Sequence, residues 1–497
     1  MTDAQHNQAK AISRKDFLTT TLAGAMALPA TVGAAAAPAG TAETEGNAQL
    51  VPPDRIVLIV IDTLRADHVG CYGYFRNTTP FLDSLASQGT LFRRAYSSSS
   101  NTSPSHASLF TALHPLQHGL TTNGLALDPQ FSMMAEFLHE KGYQTAGFVS
   151  SHHFVVGGMS RGFDTFSEPG TEGLVKDLYR PAAVTVDLAL DWLKDRKPDD
   201  RFFLWVHLFD PHGPRVPPEE YRAPFAEETD RNREAVARRF IYEHHTDFDF
   251  WKHKVNYLVG TLNDYDGEVL YADTQLKRLY TLAQEHGLNS NALWIATADH
   301  GEGLGNHHFV AHERFIYNEQ LHVPLIFHMP GSAPRVVDNV VELVDVFPTI
   351  AALHGVPLAQ HVQHTQGVSL LPYLRKGGSP LLHKQYAFSE RRTYSEILRP
   401  AENDPYGFYK FEEGERYALQ DQHFKYISWS AGDDEFYDLD EDPYEVKNVR
   451  GLGTEREREM RQQLRELAVD LQGHYDAETI RIDEENIERL RALGYLL

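Results

Sequence analysis

Three short apolar runs constrain the fold more than anything else in the chain: Ile56 to Ile61, Phe202 to Leu208, and Ala292 to Ala298. None follows the in-and-out alternation of a half-buried strand. A continuous run of this kind fits a strand covered on both faces, in the middle of an α/β sheet. Thr145 to Val149 and Val323 to His328 read as further strands. Helical patterns separate them. Thr79-Pro80 opens a helix that runs to Gly89, with Phe81, Leu82 and Leu85 on one face. Other helices are predicted from Ser132 to Lys141, Leu188 to Lys194, about Lys254 to Glu285, and around Val341 to His354. Strand alternating with helix predicts a layered α/β domain.

Each of the three runs stops on a group able to do chemistry. The first ends in Asp62, the second in Phe209-Asp210-Pro211-His212, the third in Asp299-His300. Open α/β sheets place ligands at the carboxyl ends of their strands. Taken singly, Asp62 also reads as a turn residue and His212 as a structural histidine. Taken together, Asp62, Asp299 and His300 form a mixed oxygen and nitrogen set that suits Mg²⁺, Mn²⁺, Ca²⁺ or Zn²⁺. A hydroxyl-rich stretch, Asn101-Thr102-Ser103-Pro104-Ser105-His106, places Pro104 where it favours the first turn of a helix. Thr102 or Ser103 can serve as an N-cap there, and the helix N-terminus favours a phosphate or sulfate oxygen. If the Thr102 hydroxyl joins the metal set, the ion lowers its pKa and withdraws charge from the ester. His212 and His312 then hold the remaining ester oxygens or protonate the leaving group.

With 497 residues the chain has room for one large domain and a smaller one. A formal net charge of −23 argues against nucleic acid as a partner, so an anionic substrate needs positive charge placed locally. Cys71 is the single cysteine and reads as a packed thiol. The N-terminus carries Ser13-Arg14-Lys15-Asp16-Phe17-Leu18 before an apolar run from Leu22 to Ala37, which resembles a twin-arginine export signal with Lys15 for the second arginine. No other apolar segment approaches the roughly 20 residues that span a bilayer, so a mature exported chain, periplasmic or extracellular, has no membrane span. The organisation is therefore residues 1–37 export signal, 38–53 linker, 54–383 catalytic α/β domain, and 384–497 a C-terminal α+β subdomain with a helical tail. Within it, 219–250 reads as an insertion without clear period. Gly414 to Leu419, His423 to Trp429 and Glu435 to Leu439 read as a small antiparallel sheet, followed by a charged helix from Thr454 to Gln472. The acidic run Asp433 to Glu445 reads as a solvated hairpin and tail.

From Arg55 to Val449 the chain resembles the sulfatases of the alkaline phosphatase superfamily. The resemblance rests on Ile61-Asp62-Thr63-Leu64-Arg65-Ala66-Asp67-His68, the Ser-Pro-Ser-His stretch, Phe209-Asp210-Pro211-His212, Asp299-His300-Gly301-Glu302, Tyr317-Asn318-Glu319, Val344-Asp345-Val346-Phe347-Pro348-Thr349 and Glu435-Phe436-Tyr437-Asp438-Leu439. It implies a large α/β/α sandwich with a mixed central sheet, a small C-terminal antiparallel sheet, and an ester hydrolase whose nucleophile is activated by one divalent metal ion. The departures are informative. The family's signature reads Cys or Ser, any residue, Pro, any residue, Arg, and its first residue is oxidised to formylglycine. Here Thr102 stands at that position and His106 at the arginine's. Threonine cannot yield the aldehyde, because its Cβ carries a methyl group, so no formylglycine is expected.

A plain threonine can still attack phosphorus, and the phosphothreonine can then be hydrolysed. The anion-holding role of a family lysine falls in the segment His307 to His312, to His312 before His308. No second metal set is evident near Asp264 or Asp266, so one ion is expected. Ser151, His152 and His153 come near the pocket wall in the family's order and read as surface residues. The leading expectation is a hydrolase of phosphate mono- or diesters, acting on a small-molecule, glycan or lipid-derived anionic ester. The alternatives are a sulfuric ester hydrolase working without formylglycine and a non-catalytic binder of acidic glycans.

Overall fold

The computed structural model describes residues 52–169, 179–237, 239, 255–329, 332–375, 384–392, 414–472, 480–481 and 483–492. The export signal, nearly all of the linker and the second half of the 219–250 insertion lie outside these residues. Nine strands form one mixed sheet: β1 (Arg55–Ile61), β2 (Thr90–Tyr96), β3 (Gln144–Val149), β4 (Thr165–Ser167), β5 (Phe202–Leu208), β6 (Ala292–Thr297), β7 (His322–Val323), β8 (Leu325–His328) and β9 (Arg335–Glu342). Their spatial order is β9-β2-β8-β6-β1-β5-β3-β4, with β7 continuing β8 along β2. The three apolar runs become β1, β5 and β6, side by side and parallel at the centre. Every residue of each is buried, as their composition requires.

Alternation along β5 separates the two helical layers. Phe202 meets Trp192 of α4 (Ala182–Lys194) on one face, while Trp205 meets Phe110 of α2 (Thr102–Thr111) on the other. With α4 go α1 (Pro80–Ser87) and the long α6 (Val255–Glu285); with α2 go α3 (Met134–Glu140) and α7 (Val346–Leu353). The architecture is thus an α/β/α sandwich with a mixed sheet. Each fully buried aliphatic or aromatic side chain in it contributes about 1.5–3 kcal/mol.

Two sequence expectations change. Half of the patternless insertion is a helix, α5 (Glu219–Ala237), which packs on α6 and leaves helical geometry at Asn232. Its polar composition and Pro224 hid it. The amphipathic stretch from Val341 to His354 divides instead. Val336, Val337, Val340 and Val341 pair β9 alongside β2, and the helix begins only at Val346, after the Asp345 carboxylate has accepted a hydrogen bond from Glu342 N. β-branched residues favour the strand there.

A four-stranded antiparallel sheet completes the molecule: β10 (Ala387–Arg391), β11 (Arg416–Gln420), β12 (Phe424–Trp429) and β13 (Glu435–Asp438). Tyr426 faces α8 (Glu455–Gln472) with Met460 and Leu464, while Ile427 faces Tyr317 and Phe309 of the large domain. The acidic run is not all solvated: Glu445 is buried and pairs with the buried Lys425 at 2.6 Å.

Candidate active site

Helix α2 brings Thr102 under the carboxyl ends of β1 and β6. Asn101 takes the N-cap position, so Thr102 is the first helical residue rather than a cap. Its hydroxyl is directed elsewhere, with Oγ1 3.1 Å from His300 Nε2. Its serine neighbours are otherwise engaged. Ser105 donates to the Asp299 carbonyl at 2.6 Å, and Ser103 gives its backbone N–H to Asn123.

The strand ends converge as the sequence suggested. Asp62, Asp299 and His300 are fully buried, and one ligand atom from each lies within 4.8 Å of the others. Asp299 Oδ1 accepts from His300 N at 2.8 Å and from Thr63 N at 3.1 Å. Thr63 reaches this bond from a left-handed backbone, φ +57, a strained conformation for a β-branched residue. Oδ2 of Asp299 makes no hydrogen bond and lies 3.4 Å from His300 Nε2. His300 Nδ1 donates to the Gly301 carbonyl at 2.8 Å, which leaves Nε2 as a lone pair. Two carboxylates, a fixed imidazole lone pair and a hydroxyl, all turned to one buried point, fit a divalent cation.

A second group holds positive charge beside this set. His312 Nδ1 donates to Glu302 Oε1 at 3.1 Å, and Arg215 pairs with the other Glu302 oxygen. Burial alone would lower His312, but the Glu302 charge and hydrogen bond outweigh it and raise the imidazole to about 9. Burial likewise opposes ionising Glu302, yet His312 and Arg215 take it down to about 2. His312 is therefore protonated, and its Nε2 has no hydrogen-bond partner. His212 contrasts with it: burial lowers its ring to about 4, and Nδ1 donates to the Gly213 carbonyl at 2.6 Å. The His212 and His312 rings are 4.9 Å apart, and His312 is 4.6 Å from His300.

His106 sits one turn beyond Thr102 on the sheet side of α2. Its Nδ1 lies 2.8 Å from the Thr102 carbonyl and 3.7 Å from Asp299 Oδ2. Burial brings His106 down to about 3 and the neighbouring His207 to about 4, so both rings are neutral. His207, Glu302 and Arg215 were not singled out from sequence. A histidine inside the apolar run of β5 was the available signal for the first; the Arg215–Glu302 pair joins distant segments and left none. Ser151, His152 and His153 are buried, not surface residues, since Asn486 and Glu168 cover His152 and the His153 ring stacks on Phe154. Asp264 pairs with Arg222, and Asp266 is enclosed by His68, Arg76 and Tyr74. Cys71 packs beside Asp83, and burial raises its thiol far above the ordinary range. Among the described residues no helix is long and apolar enough to cross a membrane.

Residues 54–356 match the family model described as Sulfatase, and residues 305–473 match the one described as N-sulphoglucosamine sulphohydrolase, C-terminal. An arylsulfatase from Clostridium perfringens (strain 13 / Type A) is 22% identical over 490 residues, covering 85% of this chain and 95% of that protein. The multifunctional alkaline phosphatase superfamily protein PehA of Trinickia caryophylli is 25% identical over 482 residues, covering 80% and 91%. The solved phosphonate monoester hydrolase of Agrobacterium radiobacter shares the fold with a TM-score of 0.66 at 24% identity, over 84% of this chain and 95% of that one.

Proposed function

This chain belongs to the sulfatase family and is an ester-hydrolysing enzyme, and we propose that it cleaves phosphate mono- and diesters with Thr102 as nucleophile. The observation that carries the reading is the buried Thr102 hydroxyl, 3.1 Å from His300 Nε2, in a position where no formylglycine can form. Asp62, Asp299, His300 and Thr102 would hold a divalent cation, Ca²⁺, Mg²⁺, Mn²⁺ or Zn²⁺. When bound, such an ion makes the hydroxyl more acidic and withdraws charge from the ester.

The chain's own residues divide the remaining work. His312, charged and with a spare Nε2–H, holds an ester oxygen and gives its proton to the leaving group as the Thr102 oxygen, its own proton passed to solvent, bonds to phosphorus and the bond from phosphorus to the leaving oxygen breaks. Glu302 and Arg215 keep it in that state. His212 is neutral with Nδ1–H fixed on Gly213, so its other nitrogen suits taking a proton from the water that hydrolyses the phosphothreonine. A protonated and a neutral histidine side by side give the acid and base that the two half-reactions need. The leader sequence supports export, and a small-molecule, glycan or lipid-derived ester as substrate follows from a site that is built for the ester group itself.

The arylsulfatase relative supports a second reading, hydrolysis of sulfuric esters without formylglycine. Aryl phosphate, aryl phosphodiester and aryl sulfate assayed with metal-loaded wild type and Thr102→Ala separate the two. Phosphate turnover should fall on the order of 10⁴-fold in Thr102→Ala. Sulfate turnover that survives the substitution removes Thr102 as nucleophile. Inactivity on every ester, with tight binding of an acidic glycan, makes the chain a binder.

A further inference from the structure

Behind Asp299, on the side of the sheet that α2 covers, lies a second donor set that the reaction above does not use. His106 of α2 and His207 of β5 face each other with ring centroids 5.2 Å apart, both wholly shielded from solvent. Phe154 and Trp205 wall them in, Phe154 edge-on to both rings and Trp205 edge-on to His207 and tilted against His106. One ring nitrogen of each histidine and one Asp299 oxygen lie within 4.8 Å of one another. His106 Nε2, both nitrogens of His207 and Asp299 Oδ2 make no hydrogen bond. Buried polar atoms are nearly always paired, and an unpaired one carries its full desolvation penalty. Here they come from three residues, each able to turn one lone pair toward the others.

We propose that His106, His207 and Asp299 form a second divalent-cation site, which shares Asp299 with the first. The two carboxylates stand between the two sets of imidazoles. Asp299 Oδ2 is 3.4 Å from His300 Nε2 on one side and 3.7 Å from His106 Nδ1 on the other. Asp62 Oδ1 is 4.0 Å from His300 Nε2, while its Oδ2 is 3.3 Å from His207 Nε2. Carboxylates with imidazoles on either side can each offer an oxygen to two cations a few ångströms apart. The rear set has two nitrogens and one oxygen, softer than the front set with its carboxylates and hydroxyl. It therefore favours Zn²⁺ over Mg²⁺ or Ca²⁺. Ligation through His106 Nδ1 exchanges one hydrogen bond, to the Thr102 carbonyl, for a metal bond.

Charge gives the site a use. One divalent cation neutralises Asp62 and Asp299, and a second leaves an excess of two positive charges, which matches a phosphate monoester dianion better than a singly charged sulfate ester. This consequence rests on the phosphate reading, whereas the site itself rests on its donors.

The test uses the full chain, stripped with chelator and reloaded with Zn²⁺ alone. Elemental analysis should find two zinc ions per wild-type chain, one in His207→Gln and in His106→Gln, and fewer than two in Asp62→Asn. Anomalous scattering at the zinc edge from wild-type crystals should show a peak at bonding distance from His207, which needs no variant to fold. A single zinc per wild-type chain, lost in Asp62→Asn and kept in His207→Gln, overturns the second site and leaves the first. Two zinc ions that persist in His207→Gln overturn it as well. No zinc in wild type overturns both.

Discussion

Two histidines on one hairpin, His307 and His312, carry the same chemistry to opposite ends. The hairpin pairs Gly303–Leu304 with Val310–Ala311; His307 lies in its turn, at φ +50, and His312 follows its second strand. Each is bonded through Nδ1 to a buried glutamate, His307 to Glu319 at 2.8 Å and His312 to Glu302 at 3.1 Å. In each, the glutamate overrides burial and raises the ring to about 9. What separates them is the other nitrogen. His307 Nε2 donates to the Glu445 carbonyl at 2.9 Å, and its ring stacks on Tyr317 at 3.7 Å, so it is fully engaged at the junction with the small sheet. His312 Nε2 makes no hydrogen bond and faces the strand ends. A charged histidine is therefore not in itself a sign of a site. A charged histidine with an unused donor beside a nucleophile is.

The comparison breaks if the junction and the site do not separate in experiment. The largest effect is expected at the ion pair beneath His307. Lys425→Met strands Glu445 in a fully buried position and should cost about 3–5 kcal/mol of stability, read as a fall in the denaturant midpoint. The remaining folded enzyme should turn over substrate at nearly the wild-type rate. Next comes His312→Gln, which keeps a hydrogen-bond donor but loses the charge. It should lower kcat/KM by ~10²–10³-fold, with a stability loss of about 1–3 kcal/mol, no larger than that at His307→Gln, because both lose a buried charged hydrogen bond. Equal activity losses at His312→Gln and His307→Gln would erase the distinction.

The parts that were legible in the sequence share a cause. β1, β5 and β6 announce themselves because a strand covered on both faces can admit few polar residues, and Asp62, Asp299 and His300 stand out as the first polar groups past them. Thr102 was legible through Pro104 and the family order, not through its hydrogen bond. The rest depends on contacts that no local pattern encodes. Glu302 and Arg215 meet across separate loops, and His207, though visible as a histidine in an apolar run, gains its meaning only from His106 across the layer it faces. The burial of His152 requires a helix from the far end of the chain to bring Asn486 against it. The helix expected around Val341 starts later because Val341 and Glu342 close β9, whose parallel pairing with β2 no local pattern shows.

The smallest effect is the one that tests the charge assigned to His307 itself. Its folded value, about 9, lies above the ordinary 6.5, so the stabilisation from its pairing is complete below about pH 6.5 and is lost as pH rises through 9. Burial opposes the ionisation of its partner Glu319, but the His307 charge lowers the carboxylate below its ordinary value, so it stays ionised throughout that window. Thermal unfolding followed from pH 6 to pH 9.5 should therefore show wild type losing stability faster than His307→Gln, the two curves converging at the alkaline end. His307→Gln should be less stable at the acid end by about 1–3 kcal/mol, the range for a buried charged hydrogen bond. Parallel curves would mean that His307 is neutral in the folded chain, and the likeness between the two histidines would then be one of geometry alone.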